Sequence, residues 1–234
     1  MSKEKLHIVV LTGAGMSAES GIKTFRDANG LWENHDIMDV ASPQGWYKNR
    51  ALVLEFYNQR RLQLQEVSPN AGHMALADLE QHFDVSIVTQ NVDDLHERAG
   101  SSYIHHLHGE LVKVRSTLDS NLVYTWAYKR LEEGDKCEKG SQLRPHIVWF
   151  GEAVPAYPKA EEICRNADIL LVVGTSLQVY PAAGLVHCVP STCEVYLVDP
   201  HADNLAFNGK VQVRNGFAAV ELPKLVSELV EKYG

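Results

Sequence analysis

The sequence predicts an α/β fold: a parallel sheet with helices on both faces, plus a smaller inserted lobe. Short apolar runs of strand length recur along the chain. Helix-like amphipathic segments lie between several of them, which is the rhythm of a parallel sheet covered on both sides. Two stretches, 39–66 and 112–148, break that rhythm and predict the second lobe.

The first run is 6–11, "LHIVVL". The others are 85–89 "VSIVT", 103–107 "YIHHL", 168–173 "DILLVV" and 194–198 "EVYLV". Helical patterns occupy 70–82, 91–99, 157–166 and 180–188, and 221–233 is an amphipathic closing helix. Residues 39–66 hold a helical pair without a strand. Residues 112–148 are polar, and Leu122, Tyr124, Trp126 and Tyr128 alternate there as on a strand. The chain divides into a large unit of 1–38, 83–111 and 149–234 and a small lobe of 39–82 and 112–148.

The chain of 234 residues, 45% hydrophobic and 22% charged, has the composition of an ordinary globular protein. Its formal charge of -8 argues against a broad nucleic-acid-binding surface. No apolar run approaches the length of a membrane span. "MSKEKLHIVVLTGAG" lacks a small-residue cleavage site and leads into a glycine turn, so it reads as a first strand and not a signal peptide. Cys137, Cys164, Cys188 and Cys193 form no C-x-x-C pair, and they read as free thiols of a reducing cytoplasm.

Ligands of a doubly wound sheet bind beyond the carboxyl ends of its strands. The five runs end in "TGAGMSAESG", "QNVDDLH", "HGE", "GTS" and "DPHADN". Turn chemistry explains the glycines and some of the Asp and Asn, but not His108, Gln90 or Asn91. Gly13, Gly15 and Ala18 fit G-x-G-x-x-G/A, a pattern that lets a backbone approach a pyrophosphate and equally fits a plain strand-to-helix turn. With "GTS", it suggests two glycine-rich backbones around one dinucleotide. Phe25, Arg26 and Trp32 stand in a long loop able to close over a ligand, and Asp199 is a candidate for the ribose. His108 is a candidate general base, whereas His105 and His106 read as structural histidines.

"GAGMSAESGIKTFR", "TQNVDDLHERAG", "HLHGE", "RPHIVWFGE" and "GTSLQVYPAAG", in this order, resemble the sirtuin family of NAD-dependent protein deacylases. The resemblance implies a Rossmann-like large domain, a small lobe, and NAD between them, consumed as a co-substrate. It implies that Gly13, Ala14, Gly15 and Ser17, with Arg26, hold the phosphates and cover the site. Gln90, Asn91 and Asp93 would surround the nicotinamide and its ribose, and Gly174, Thr175 and Ser176 the adenosine half. Gly216, Phe217 and Ala218 would lie against the adenine. An acyl-lysine peptide would add as a strand between Val148, Phe150, Gly151 and Glu152 on one side and Val179 and Tyr180 on the other. In the implied chemistry nicotinamide leaves as the acyl oxygen attacks the ribose carbon. Asp93 would lie near the developing positive charge, and His108 would accept a ribose hydroxyl proton. The products would be free lysine and an acyl-ADP-ribose. A non-catalytic NAD or ADP-ribose sensor and a protein ADP-ribosyltransferase are the alternatives.

Two features set this chain apart. The family usually carries four zinc-binding cysteines, but Ser116 stands where the first is expected and Cys137 is the only cysteine before "RPHIVWFGE". One thiol cannot make the tetrahedral site, so no structural zinc is expected. In "VLEFYNQRRLQL", Val53, Phe56, Tyr57 and Leu64 form one helix face with Arg60 in its middle. An arginine there needs a negative partner. Asp36 or Asp39 could supply it. In one sirtuin class Tyr-x-x-Arg reads the far end of the acyl group, so the resemblance makes Tyr57 and Arg60 readers of a succinyl or malonyl carboxylate.

Overall fold

The structure, a computed structural model, describes residues 5–23, 31–32 (backbone only), 35–202 and 211–234. β1 (His7–Thr12) leads through the short helix α1 (Gly15–Ala18) to two short strands, β2 (Leu31–Trp32) and β3 (His35–Asp36). Four helices follow: α2 (Ile37–Val40), α3 (Pro43–Lys48), α4 (Arg50–Gln63) and α5 (Ala71–Leu79). Then come β4 (Asp84–Thr89), α6 (Leu95–Ala99), β5 (Ile104–His106), β6 (Gly109–Ser116), β7 (Val123–Thr125) and β8 (Leu143–Ile147). The chain ends with α7 (Tyr157–Arg165), β9 (Ile169–Val173), a 3-10 turn (Ala182–His187), β10 (Glu194–Val198), β11 (Val211–Arg214) and α8 (Ala218–Tyr233).

Six strands form one parallel sheet in the order β11-β10-β9-β1-β4-β5. Its inner strands are apolar on both faces. Ile8 and Val10 of β1 point into the layer with Leu76, Leu79, Leu222 and Leu225. Val9 and Leu11 point the other way, toward Ile163, Leu185 and Val172. The strand order reverses between β1 and β9, and ligands of such sheets bind at the carboxyl ends beside that switch point.

A separate antiparallel sheet, β7-β6-β8, packs against α4. Val53, Phe56, Tyr57 and Leu64 of α4 share its core with Leu111, Val114, Leu143 and Trp149. Asn49 caps α4 by accepting from Leu52 N, and Ser42 caps α3 from Gly45 N, so the helical insertion is punctuated by its own polar residues.

Four expectations change. Ala75, Leu76 and Leu79 belong to the core of the parallel sheet, so α5 sits with the large unit rather than in the small lobe. β11 is a sixth strand, half exposed at the sheet edge and therefore without a continuous apolar run. The alternation over 122–128 ends after Thr125, because Ala127 adopts φ 52 and the amides of Trp126 and Ala127 both donate to Val112 O. On α4 the arginine with no exposure is Arg61, not Arg60. The small sheet covers the flank of the stripe: Arg61 Nε donates to Leu111 O of β6 at 2.7 Å and Nη1 to Asn58 Oδ1 at 2.9 Å.

Candidate active site

The strand ends meet because their backbones are bonded to each other. Gly13 N donates to Val173 O and Gly15 N to Gly174 O. Gln90 N donates to Thr12 O, and Gly174 N to Val198 O. The two glycine loops cross so closely that a Cβ on Gly13 would lie 2.7 Å from Thr175 Cβ, and one on Gly15 2.7 Å from Gly174 Cα. Glycine is therefore demanded here by the crossing itself, in addition to any approach of a phosphate.

Polar side chains line this crossing. Gln90 Nε2 donates to Thr175 Oγ1 at 3.1 Å. His108 Nδ1 lies 3.1 Å from Gln90 O. A carbonyl only accepts, so Nδ1 carries the hydrogen and Nε2 keeps its lone pair. Burial lowers the His108 pKa, with the Gln90 hydrogen bond opposing. The ring is thus held neutral and in one tautomer, as a general base requires.

Beneath it, Ser17 Oγ donates to Asp93 Oδ2 at 2.9 Å, and Asn91 Nδ2 donates to Ser17 Oγ at 3.2 Å. Asp93 Oδ1 accepts from Leu95 N. Burial raises the Asp93 pKa despite those two donors. Asn91 N donates to Thr89 Oγ1, which also accepts from Thr12 Oγ1 at 2.8 Å. His96 Nε2 is 3.1 Å from Thr12 Oγ1. Sequence reading singled out Ser17, Asn91 and Asp93 but not Thr12, Thr89 or His96. The signal was present: Thr12 and Thr89 are opposite each other in register at the ends of two buried strands. Hydroxyls there must bond to something.

The remaining expected residues are distributed around these strand ends. Ala14 precedes α1 and Ala18 ends it. Thr175 is buried and Ser176 half-buried. Asp199 is buried after β10 and accepts from His201 N at 2.8 Å. Ala218 is buried at the start of α8, beside the exposed Phe217. Phe25, Arg26 and the Trp32 side chain lie outside the described residues.

On the small-lobe side, Trp149 joins two groups of expected residues. Its Nε1 donates to Tyr57 Oη at 3.0 Å, and the Arg144 guanidinium stacks 3.3 Å from its ring centroid. Glu152 accepts from Arg144 Nη1 at 2.7 Å, from Arg115 Nη2 at 3.2 Å and from Trp149 N. The Glu152 carboxylate is therefore an internal anchor of this wall. Burial opposes its charge, but these donors prevail and lower its pKa. Val148 N and Phe150 N are already bonded, to His108 O and Ala41 O. Phe150 and Tyr180 expose their rings, and Val179 is half-buried.

Tyr57 has no exposure, and burial raises its pKa. One helical turn on, Arg60 is half-buried, its Cζ 4.4 Å from the Phe56 ring centroid. Asp39 pairs with Lys48 and Asp36 accepts from Met38 N, so both carboxylates considered for Arg60 have bonds of their own.

At the place of the expected zinc cysteines, Ser116 Oγ and Ser141 Oγ are 2.7 Å apart. Cys137 Sγ lies 3.4 and 3.2 Å from them. One thiol and two hydroxyls do not fit a tetrahedral zinc site. They bond to one another instead.

A family model described as the Sir2 family matches residues 13–181. A Helicobacter pylori protein named NAD-dependent protein deacylase is 58% identical over 225 residues, covering 96% of this chain and 98% of that protein. One of the same name from Bacteroides thetaiotaomicron is 58% identical over 199 residues, covering 83% and 85%. Among solved structures, a Sir2 homolog–NAD complex superposes with a TM-score of 0.86 at 36% identity, covering 99% of this chain and 92% of that one. A Sir2 protein with a deacetylated p53 peptide and 3'-O-acetyl ADP-ribose superposes with a TM-score of 0.74 at 26% identity, covering 98% and 94%.

Proposed function

The chain belongs to the Sir2 family, and from that premise we infer that it is an NAD-dependent protein-lysine deacylase acting on succinyl- and malonyl-lysine as well as acetyl-lysine. The observation that carries the reading is the bond between His108 Nδ1 and Gln90 O. It leaves the Nε2 lone pair of His108 beside the loop after β4, whose Gln90 side chain reaches Thr175. NAD, as co-substrate, supplies the ribose carbon to which the acyl oxygen is transferred and nicotinamide as the leaving group. His108 Nε2 takes the ribose hydroxyl proton. Asn91 and Asp93, held by Ser17, orient the nicotinamide ribose, and the Asp93 carboxylate faces the positive charge that develops there. The peptide lies as an added strand between the Phe150–Gly151 edge and Val179–Tyr180.

Tyr57 and Arg60 support the acyl preference. Tyr57 Oη accepts from Trp149 Nε1 at 3.0 Å. Arg60 lies on the same face one turn later, where a guanidinium and a phenol together suit a terminal carboxylate. The small lobe is held without structural zinc.

The test is nicotinamide release on acetyl, malonyl, succinyl and glutaryl peptides. Arg60→Met is expected to lose desuccinylation by about a hundredfold while deacetylation survives, each lost hydrogen bond costing on the order of tenfold. Equal loss of both activities refutes the acyl reading. Absence of nicotinamide release with every peptide refutes the deacylase itself.

A further inference from the structure

We propose that Glu97, His106 and Glu110 bind one divalent first-row transition-metal cation of the Zn2+ class, at the junction of the two sheets. The three come from different elements: Glu97 from α6, His106 from the end of β5 in the parallel sheet, and Glu110 from the start of β6 in the small sheet. One ligand atom from each lies within 4.8 Å of the others. His106 Nε2 is 2.6 Å from Glu97 Oε1 and 3.5 Å from Glu110 Oε1. Ligands about 2.0 Å from a tetrahedral cation stand roughly 3.3 Å apart. The Glu110 separation already suits that. Glu97, the exposed member, has to draw back by less than about an ångström.

The orientation of the imidazole also points to the cation. His106 Nδ1 lies 3.2 Å from Asn91 O, so it carries the hydrogen and donates to that carbonyl. In the neutral ring Nε2 is then a lone pair, and it faces two carboxylates that also only accept. Something positive must stand between them. In the bare protein a hydrogen bond does so, on the 2.6 Å contact between Nε2 and Glu97 Oε1. A metal ion does the same task with a fuller bond set. A backbone carbonyl on the far nitrogen is the outer contact that orients metal-binding histidines.

The surroundings suit an exchangeable cation. The His106 side chain is 8% exposed and that of Glu110 16%, whereas Glu97 at 41% leaves an entry. Lys113 pairs with Glu110 Oε2, which turns Oε1 toward the ring. A cavity of about 370 Å³, to which Asp93 and Asp94 also contribute, gives room for water as further ligands. On binding, the cation takes the place of the Nε2 proton, which leaves to solvent, and the Nε2 hydrogen bond to Glu97 is replaced by bonds of both groups to the cation. Because His106 also holds the Asn91 carbonyl, occupancy ties the NAD-site loop to the small sheet.

The test titrates the full chain with Zn2+ by calorimetry and with Co2+ by absorption. The expected result is one cation per chain, with Glu97→Gln and His106→Gln each weakening it by at least about tenfold. Cys137→Ser should leave it unchanged, and the Co2+ spectrum should lack a thiolate charge-transfer band. Glu97→Gln alters an exposed side chain, so it decides the matter even where His106→Gln fails to fold. No saturable binding, binding unchanged in Glu97→Gln, or a thiolate band overturns the proposal.

Discussion

His108 works as a base only while Nε2 is unprotonated. Burial places its pKa below the ordinary imidazole value of about 6.5, so it stays neutral as the pH falls through that value and charges only below it. A kcat/KM profile should therefore keep its activity through that range and lose it on the more acid side; an acid limb above the ordinary value would contradict the assignment. His108→Ala should cost about 10²- to 10⁴-fold in kcat with NAD binding retained, measured by turnover and calorimetry. Arg61 makes a different prediction. Its guanidinium has no exposure, and burial lowers its pKa to about 10. Arg61→Met strands Leu111 O, whereas Asn58 Oδ1 keeps Leu131 N, and should lower unfolding free energy in urea by about 1–3 kcal/mol. Arg60 and Arg61 are adjacent in sequence, and helical periodicity points to the first. Only the placement of β6 on the flank of α4 shows that the second is the one without solvent.

Gly109 shows why an element boundary matters to the chemistry. It opens β6 directly after His108, at φ +85, and a Cβ there would lie 1.9 Å from His146 O across the strand pair. Gly109→Ala must part β6 from β8 or turn the His108 backbone. It should lower both Tm and turnover on every acyl peptide, unlike Arg60→Met, which spares one class. The strand runs at β1, β4, β9 and β10 were legible because buried parallel strands are apolar on both faces. β11 was not, because half of it is exposed. α5 was legible as a helix, but its partner was not, since an apolar stripe does not name the surface that covers it. The chain from Tyr57 through Trp149 and Arg144 to Glu152 was equally silent. It joins α4, β8 and the loop after β8, and side-chain bonds between distant segments leave no periodic mark.

Two buried histidines link the whole molecule to pH. The His73 and His96 rings lie 4.9 Å apart with almost no exposure. Burial lowers the His73 pKa to about 4 and that of His96 well below its usual value. Folded pKa values below the unfolded one of about 6.5 mean that the unfolded chain binds the extra protons. Stability is thus full above that value and falls as the pH drops through it, so the urea midpoint at about pH 5 should lie below that at about pH 7. His73→Asn should flatten the difference. In the small lobe, Cys137→Ser should cost little Tm, because hydroxyls hold the place of thiolates. Sequence alone determined the apolar layering of the sheet, the chemistry gathered at its strand ends, and the lack of a second thiol in the small lobe before "RPHIVWFGE". These are properties of residue type and spacing, which the chain carries before it folds. The tertiary structure decided which arginine is buried, that Glu152 is an anchor, and that the glycine loops touch each other. Those depend on which surfaces meet, and contact between segments far apart in sequence is settled only by packing.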